Sequence, residues 1–201
     1  MDLFVNGAKI DVTLEGEKTI GDVLRSFEAT CEENDAAVIG IRADGQKVDA
    51  ASFDEYAKLP LAPSTKIEFE VVTKQSIADS FKKLSGLFSS LAERMERVPV
   101  DLQSGKGKEA TAAIAELADD IEVFCRTASL ASLFPDTYGA IVVDGKQVSD
   151  FFADLTPVLS EFEEALKAND TVLVGDLAEY EIAPRLRAFT EAVKNIKEPI
   201  C

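Results

Sequence analysis

The feature that most constrains this chain is a seam of apolar residues, Ile77, Phe81, Leu84, Phe88, Leu91, Met95 and Val98, spaced alternately four and three apart between Ser76 and Val98. That spacing puts them on one stripe of a helix, and such a stripe is stable only when other helices cover it. The same rhythm recurs downstream, whereas apolar and polar residues alternate upstream. The chain therefore reads as α+β, with a sheet-containing part over residues 1–74 and a helical part over residues 75–201. At 201 residues, 46% of them hydrophobic, it can fill two small cores.

In the first part, Asp2 to Val5 and Lys9 to Leu14 alternate around Asn6-Gly7, which predicts a hairpin. Thr19 is placed to cap a helix from Ile20 to about Thr30, with Asp22 three residues on. Ala36 to Ile41 predicts a strand that turns at Asp44-Gly45 into Lys47 and Val48. After a loop marked by Pro60 and Pro63, Lys66 to Val72 predicts the last strand. The hairpin, the run Thr19-Ile20-Gly21-Asp22-Val23-Leu24, the strand Val38-Ile39-Gly40-Ile41 and the strand from Lys66 to Val71 together resemble the β-grasp fold of ubiquitin and the bacterial sulfur carriers. That resemblance covers about the first 73 residues and implies a ubiquitin-like domain. In the carriers, activity resides in a Gly-Gly C-terminus. Here Val72 runs into Thr73-Lys74-Gln75, and the sequence ends Glu198-Pro199-Ile200-Cys201, so a docking role is expected in place of a carrier role.

In the second part, Ala110, Ile114, Leu117, Ile121, Phe124, Ala128 and Ala131 carry a helix predicted over Gly107 to Leu133. Tyr138 to Val143 reads as an extended segment without a strand partner, followed by a turn at Asp144-Gly145. Val148, Phe152, Leu155, Leu159, Phe162 and Leu166 predict a third helix to Ala168, in which Pro157 should produce a kink or a late start. Asn169-Asp170 caps a fourth, carrying Leu173, Leu177 and Tyr180 and then Leu186, Phe189, Val193 and Ile196, with a bend expected near Ile182 and Ala183 because of Pro184. The architecture expected is a β-grasp domain followed by an antiparallel bundle of about four helices.

Net charge is −16 and both parts share it: residues 1–74 carry 8 basic and 15 acidic side chains, residues 75–201 carry 13 and 22. Without a basic face, binding to nucleic acid or to an anionic membrane is not expected. No apolar run approaches the ~20 residues of a membrane span. Met1-Asp2-Leu3-Phe4-Val5 has no signal-peptide pattern, and Cys31, Cys125 and Cys201 have no metal-ligand spacing. A cytoplasmic protein is expected.

No catalytic residues, cofactor-binding residues or metal ligands are assigned. Histidine is absent, which removes the commonest general base at neutral pH. Ser104-Gly105-Lys106-Gly107 lacks the pattern of a phosphate loop and reads as a turn. Cys125 is expected to be an inert buried thiol, and Asp176, Glu179 and Glu181 a solvated face rather than a metal site.

The stretch from Asp170 to Pro184 departs from a one-sided helix. Leu173, Leu177 and Tyr180 line one side, while Val174 and Ile182 fall outside it. A helix apolar on two sides is covered twice or recruits a partner, and the segment from Ile141 to Val143 is its expected cover inside the chain. Val174, Leu177, Tyr180, Glu181 and Ile182 form the candidate partner interface, through which the fourth helix could also self-associate. The stretch is weakly similar to segments of uncharacterised bacterial helical proteins. Two function classes follow. One is a non-enzymatic interaction protein such as an adaptor, scaffold or export-type chaperone. The other is an accessory or small-ligand-binding subunit that docks on a larger enzyme through the β-grasp domain, its pocket lined by Phe81, Phe88, Phe124, Phe152 and Phe162.

Overall fold

The computed structural model describes residues 1–139, 141–143 and 145–194, with the backbone alone at Val148, Ser149 and Phe152. The seam positions Val148, Phe152 and Ile196, and the expectations for Asp144 and Cys201, lie outside what is described. The chain is mixed α+β and divides into two compact units, Met1–Lys74 and Gln75–Cys201.

In the first unit β1 (Asp2–Val5) and β2 (Ala8–Ile10) form the Asn6-Gly7 hairpin, with both turn residues at positive φ, 50° and 82°. The second strand stops at Ile10 instead of Leu14. It is an edge strand, so its outer side has no neighbour to pair with, and Val12 and Leu14 instead line a pocket of about 350 Å³ beside the next helix. That helix, α1 (Ile20–Glu33), starts in a capping box in which Thr19 accepts from the Asp22 amide and Asp22 accepts from the Thr19 amide. It runs three residues past the expected end. β3 (Ala36–Ala43) turns through Asp44-Gly45 into β4 (Gln46–Lys47), and β5 (Lys66–Thr73) closes the unit. A short α2 (Phe53–Ala57) precedes β5; the sequence pattern does not show it, because it is only five residues long and its N-cap Ser52 makes no side-chain capping bond. It is instead pressed on α1, where a Cβ at Gly21 would lie 2.8 Å from the Ala57 carbonyl oxygen. The sheet order is β2-β1-β5-β3-β4, with β1 and β5 parallel and the remaining pairs antiparallel. Leu3, Ile20, Val23, Leu24, Ile67 and Phe69 fill the space between sheet and α1, where Phe27 stacks on Phe69 at 4.0 Å.

The second unit is helical. α3 (Lys74–Met95) buries Ile77, Phe81, Leu84, Phe88, Leu91 and Met95, as the seam predicts. It does not continue to Val98. Pro99, which has no N–H to give to a helix interior, sits in the first turn of a new helix, α4 (Val98–Gln103). α5 (Gly107–Ala131) follows. Tyr138 is not in a strand: α6 (Pro135–Tyr138) is a helical turn, and β6 (Val142–Val143) is extended, paired with β7 (Lys146–Gln147) and so not partnerless. α7 (Val148–Ala168) runs uninterrupted through Pro157. The chain then turns at Asn169, φ 54°, into α8 (Thr171–Asp176), a π-helical segment (Leu177–Ile182) and α9 (Ala183–Lys194).

The helices meet in an aromatic core. Phe88 on α3, Phe124 on α5 and Phe189 on α9 lie edge to face, with centroids 4.6–5.8 Å apart, and Phe151 of α7 adds a ring 5.7 Å from Phe124. Such pairs add to the burial of the rings themselves. Ser85 and Thr190 exchange hydroxyl-to-carbonyl bonds inside this core, so both of these buried hydroxyls are satisfied. Among the described residues no helix is long and apolar enough to cross a membrane.

Candidate interaction face

The final helix departs from regular geometry at the stretch that its sequence marks as unusual. Asp170 caps α8 by accepting from the Leu173 amide at 3.0 Å. One turn on, Gly175 allows α4 to approach: a Cβ there would lie 3.1 Å from the Cβ of Pro99. The chain then widens. The Ala183 N–H donates to the Ala178 carbonyl, five residues back instead of four. Pro184 follows at once. In an α-helix it would leave the Tyr180 carbonyl without a donor and press its ring on that carbonyl. The wider π turn takes the place of the expected kink, and Arg185 Nη1 donates at 2.8 Å to the Glu181 carbonyl.

This geometry sorts the five candidate residues. Val174, Leu177 and Ile182 are 3%, 6% and 0% exposed. They are core, and the expectation that they present themselves to a partner is corrected: α8 and the π segment pack on α4 and α7. The expected cover is corrected too, since β6 packs on α9 and α7 instead. Glu181 is half-exposed, but its carboxylate accepts from Arg185 Nη1 at 2.6 Å, and the buried Arg185 Nε faces Asp154 at 3.7 Å without a hydrogen-bond partner. Only Tyr180 points outward, 64% exposed. Its hydrogen bond with Glu179 pushes the phenol above its usual range.

Sequence reasoning missed two exposed apolar residues on neighbouring elements, Val172 at 68% exposure and Val100 on α4 at 64%. With Tyr180 they are the three most exposed large apolar side chains among the described residues, and all three sit on α4, α8 and the π segment, which pack together. The signal for Val172 was legible: Val172, Asp176, Tyr180 and Pro184 are four apart, a stripe distinct from that of Val174 and Ile182. Val100 had none, because the stretch from Pro99 to Gly107 reads as a break between helices, and α4 is a short helix within it.

Of the five phenylalanines expected around a ligand, Phe88, Phe124 and Phe162 are packed into the core. The rings of Phe88 and Phe124 are packed against each other and Phe189, Phe162 is buried, and the Phe152 side chain lies outside the description. Phe81 lines an apolar pocket of about 240 Å³ with Ala128, Ala131, Pro135, Tyr138 and Ile141. Burial raises the Tyr138 phenol above its usual range. Burial also raises the thiols of Cys31 and Cys125, away from the reactive thiolate. Cys125, expected to be buried, is partly exposed. Among the described residues no group of three or more Cys, Asp or Glu could hold a metal ion.

The helical unit with this face defines the class: the chain belongs to the family described as Domain of unknown function (DUF8042), whose pattern covers residues 79–192. Residues 1–73 match the family described as TP0873 N-terminal domain. Over 196 residues the chain is 24% identical to a protein of Treponema pallidum (strain Nichols) that carries the name "Uncharacterized protein", and the alignment covers 98% of each chain. No solved structure matches.

Proposed function

We propose that this is a non-enzymatic cytoplasmic protein that works by binding another protein, as an adaptor, scaffold or export-type chaperone. The observation that carries the reading is the concentration of Val100, Val172 and Tyr180 on three elements packed together. Large apolar side chains scattered singly need no explanation, whereas a cluster of them marks an interaction surface. In this reading residues 1–74 are a β-grasp domain and residues 75–201 an antiparallel bundle of about four helices. The sheet order β2-β1-β5-β3-β4, its parallel central pair and the single long helix α1 packed in the unit's core support the β-grasp assignment. The test is a pull-down of the tagged full chain from its native cell lysate, with light scattering of the pure protein. A stoichiometric protein partner is expected; its absence contradicts the proposal.

A second reading rests on the apolar pocket beside Phe81 and Tyr138. It makes the chain an accessory or small-ligand-binding subunit that docks on a larger enzyme through the β-grasp domain. A neutral apolar dye, N-phenylnaphthylamine, should then brighten with the wild type and not with Ala131→Trp, which fills the pocket. Equal signals from both would remove this reading.

A further inference from the structure

We propose that the outer stripe of the final helix, Val172, Asp176, Tyr180 and Pro184, together with Val100, docks a basic amphipathic helix of a partner protein. The inference rests on the interaction reading above and adds the chemistry of the partner. Three observations lead to it.

The first is alignment. In an α-helix, residues four apart drift by about 40° per step, so a four-spaced stripe should wind off to one side. The π segment is wider and drifts in the opposite sense. The stripe therefore stays straight across Leu177–Ile182, with Tyr180 and Pro184 in line with Val172. At about 1.5 Å per residue it spans roughly 18 Å, three turns of a partner helix.

The second is charge. From Asn169 to Pro184 the chain carries Asp170, Asp176, Glu179 and Glu181 and no Lys or Arg, and α4 adds Asp101 with no cation of its own. Glu181 is held by Arg185, Asp170 caps α8, and Asp101 has Arg97 at 3.9 Å. Asp176, the one charged member of the stripe, is exposed, and Glu179 beside the stripe is half-exposed. A strip of apolar side chains that carries one carboxylate and is flanked by another is complementary to a helix with an apolar face flanked by Lys or Arg.

The third is what this charge disfavours. A second copy of the chain would meet the face isologously and set the same carboxylates against one another. An anionic lipid surface would be repelled by them.

The test uses the full chain and a fluorescein-labelled peptide of Leu and Lys, about 18 residues long, arranged as an amphipathic helix. Its control has the same composition shuffled so that no apolar face forms. Anisotropy titration should show the amphipathic peptide binding at least about tenfold tighter than the control, and Val172→Ser/Tyr180→Ser should lose about tenfold while melting with the wild type. Asp176→Asn/Glu179→Gln should weaken binding by about threefold and flatten its salt dependence; this charge pair remains informative should the first variant unfold. Equal binding of both peptides, unchanged binding by both variant pairs, or a wild-type dimer that Val172→Ser/Tyr180→Ser dissolves would overturn the proposal. A native partner that still binds Val172→Ser/Tyr180→Ser would overturn it and leave the interaction reading standing, whereas the absence of any partner would remove both.

Discussion

α1 and the final helix bury comparable apolar stripes, yet only one of them has large apolar side chains left over. α1 turns Ile20, Val23 and Leu24 inward and shows solvent Arg25, Ser26, Glu28, Thr30 and Glu32. The final helix turns Val174, Leu177, Ala178 and Ile182 inward and shows solvent Val172 and Tyr180 as well. α1 also begins with a capping box and keeps one register to its end, whereas the final helix changes register through a π turn. A helix that only closes a core needs one apolar side. A helix with apolar residues on a second side, carried across a register change that costs regular hydrogen bonding, has a use for that side.

The contrast breaks most visibly through the buried side. Ile182→Lys places a charge where a fully buried aliphatic stood, and should unfold the helical unit by more than about 4 kcal/mol in chemical denaturation. Phe189→Ala removes the ring shared by α3, α5 and α7, and should cost about 3–5 kcal/mol by the same measurement.

Asp120 on α5 sharpens the comparison from elsewhere in the helical unit. It is 7% exposed, one carboxylate oxygen has no hydrogen-bond partner, and burial followed by repulsion from Glu116 raises its pKa above the usual range. A raised folded-state pKa means that the ionised form opposes folding as pH rises through it. Asp120→Asn should therefore raise stability at pH 7 by about 1 kcal/mol and do nothing well below pH 4.

In the sheet unit the sign reverses. The Lys18 amide, then the hydroxyl and amide of Thr19, hold the half-buried Asp22 carboxyl down at about 2. Its contribution is present in full above its ordinary value near 3.8 and is lost as pH falls toward 2. The gap in melting temperature between wild type and Asp22→Asn should close over that window. Thr19→Ala, which removes the other half of the capping box, should cost about 1 kcal/mol. The smallest effect belongs to the outer stripe, where Val172→Ser should change stability by less than about 0.5 kcal/mol.

Local chemistry was readable wherever it decided the structure. Asn6-Gly7 and Asp44-Gly45 announce their turns because few other residues accept positive φ, and Thr19 with Asp22 announces its cap. The seam of α3 is legible because one face of it meets a continuous core, whereas of the α7 seam Leu155 and Phe162 are buried and Leu166 is exposed. The helical turn Pro135–Tyr138 and the early end of β2 were not, because neighbours elsewhere in the fold set them. Of the candidate site, the stretch was legible and its sidedness was not. A period of 3.6 assigns faces only while the register holds: the π turn shifts everything after Leu177 and turns Ile182 inward, while Val174, ahead of it, is buried because α8 is covered by both α4 and α7.

The central claim is that the two sides of one helix do different work, and a matched pair of variants tests it most directly. Val172→Ser/Tyr180→Ser and Val174→Ser/Leu177→Ser should be melted and used as bait in parallel with the wild type. The account predicts that the outer pair melts within about 2 °C of the wild type, a shift expected of surface changes, and loses the stoichiometric partner, while the inner pair melts far lower. An outer pair that unfolds with the inner one, or that keeps the partner, would contradict it.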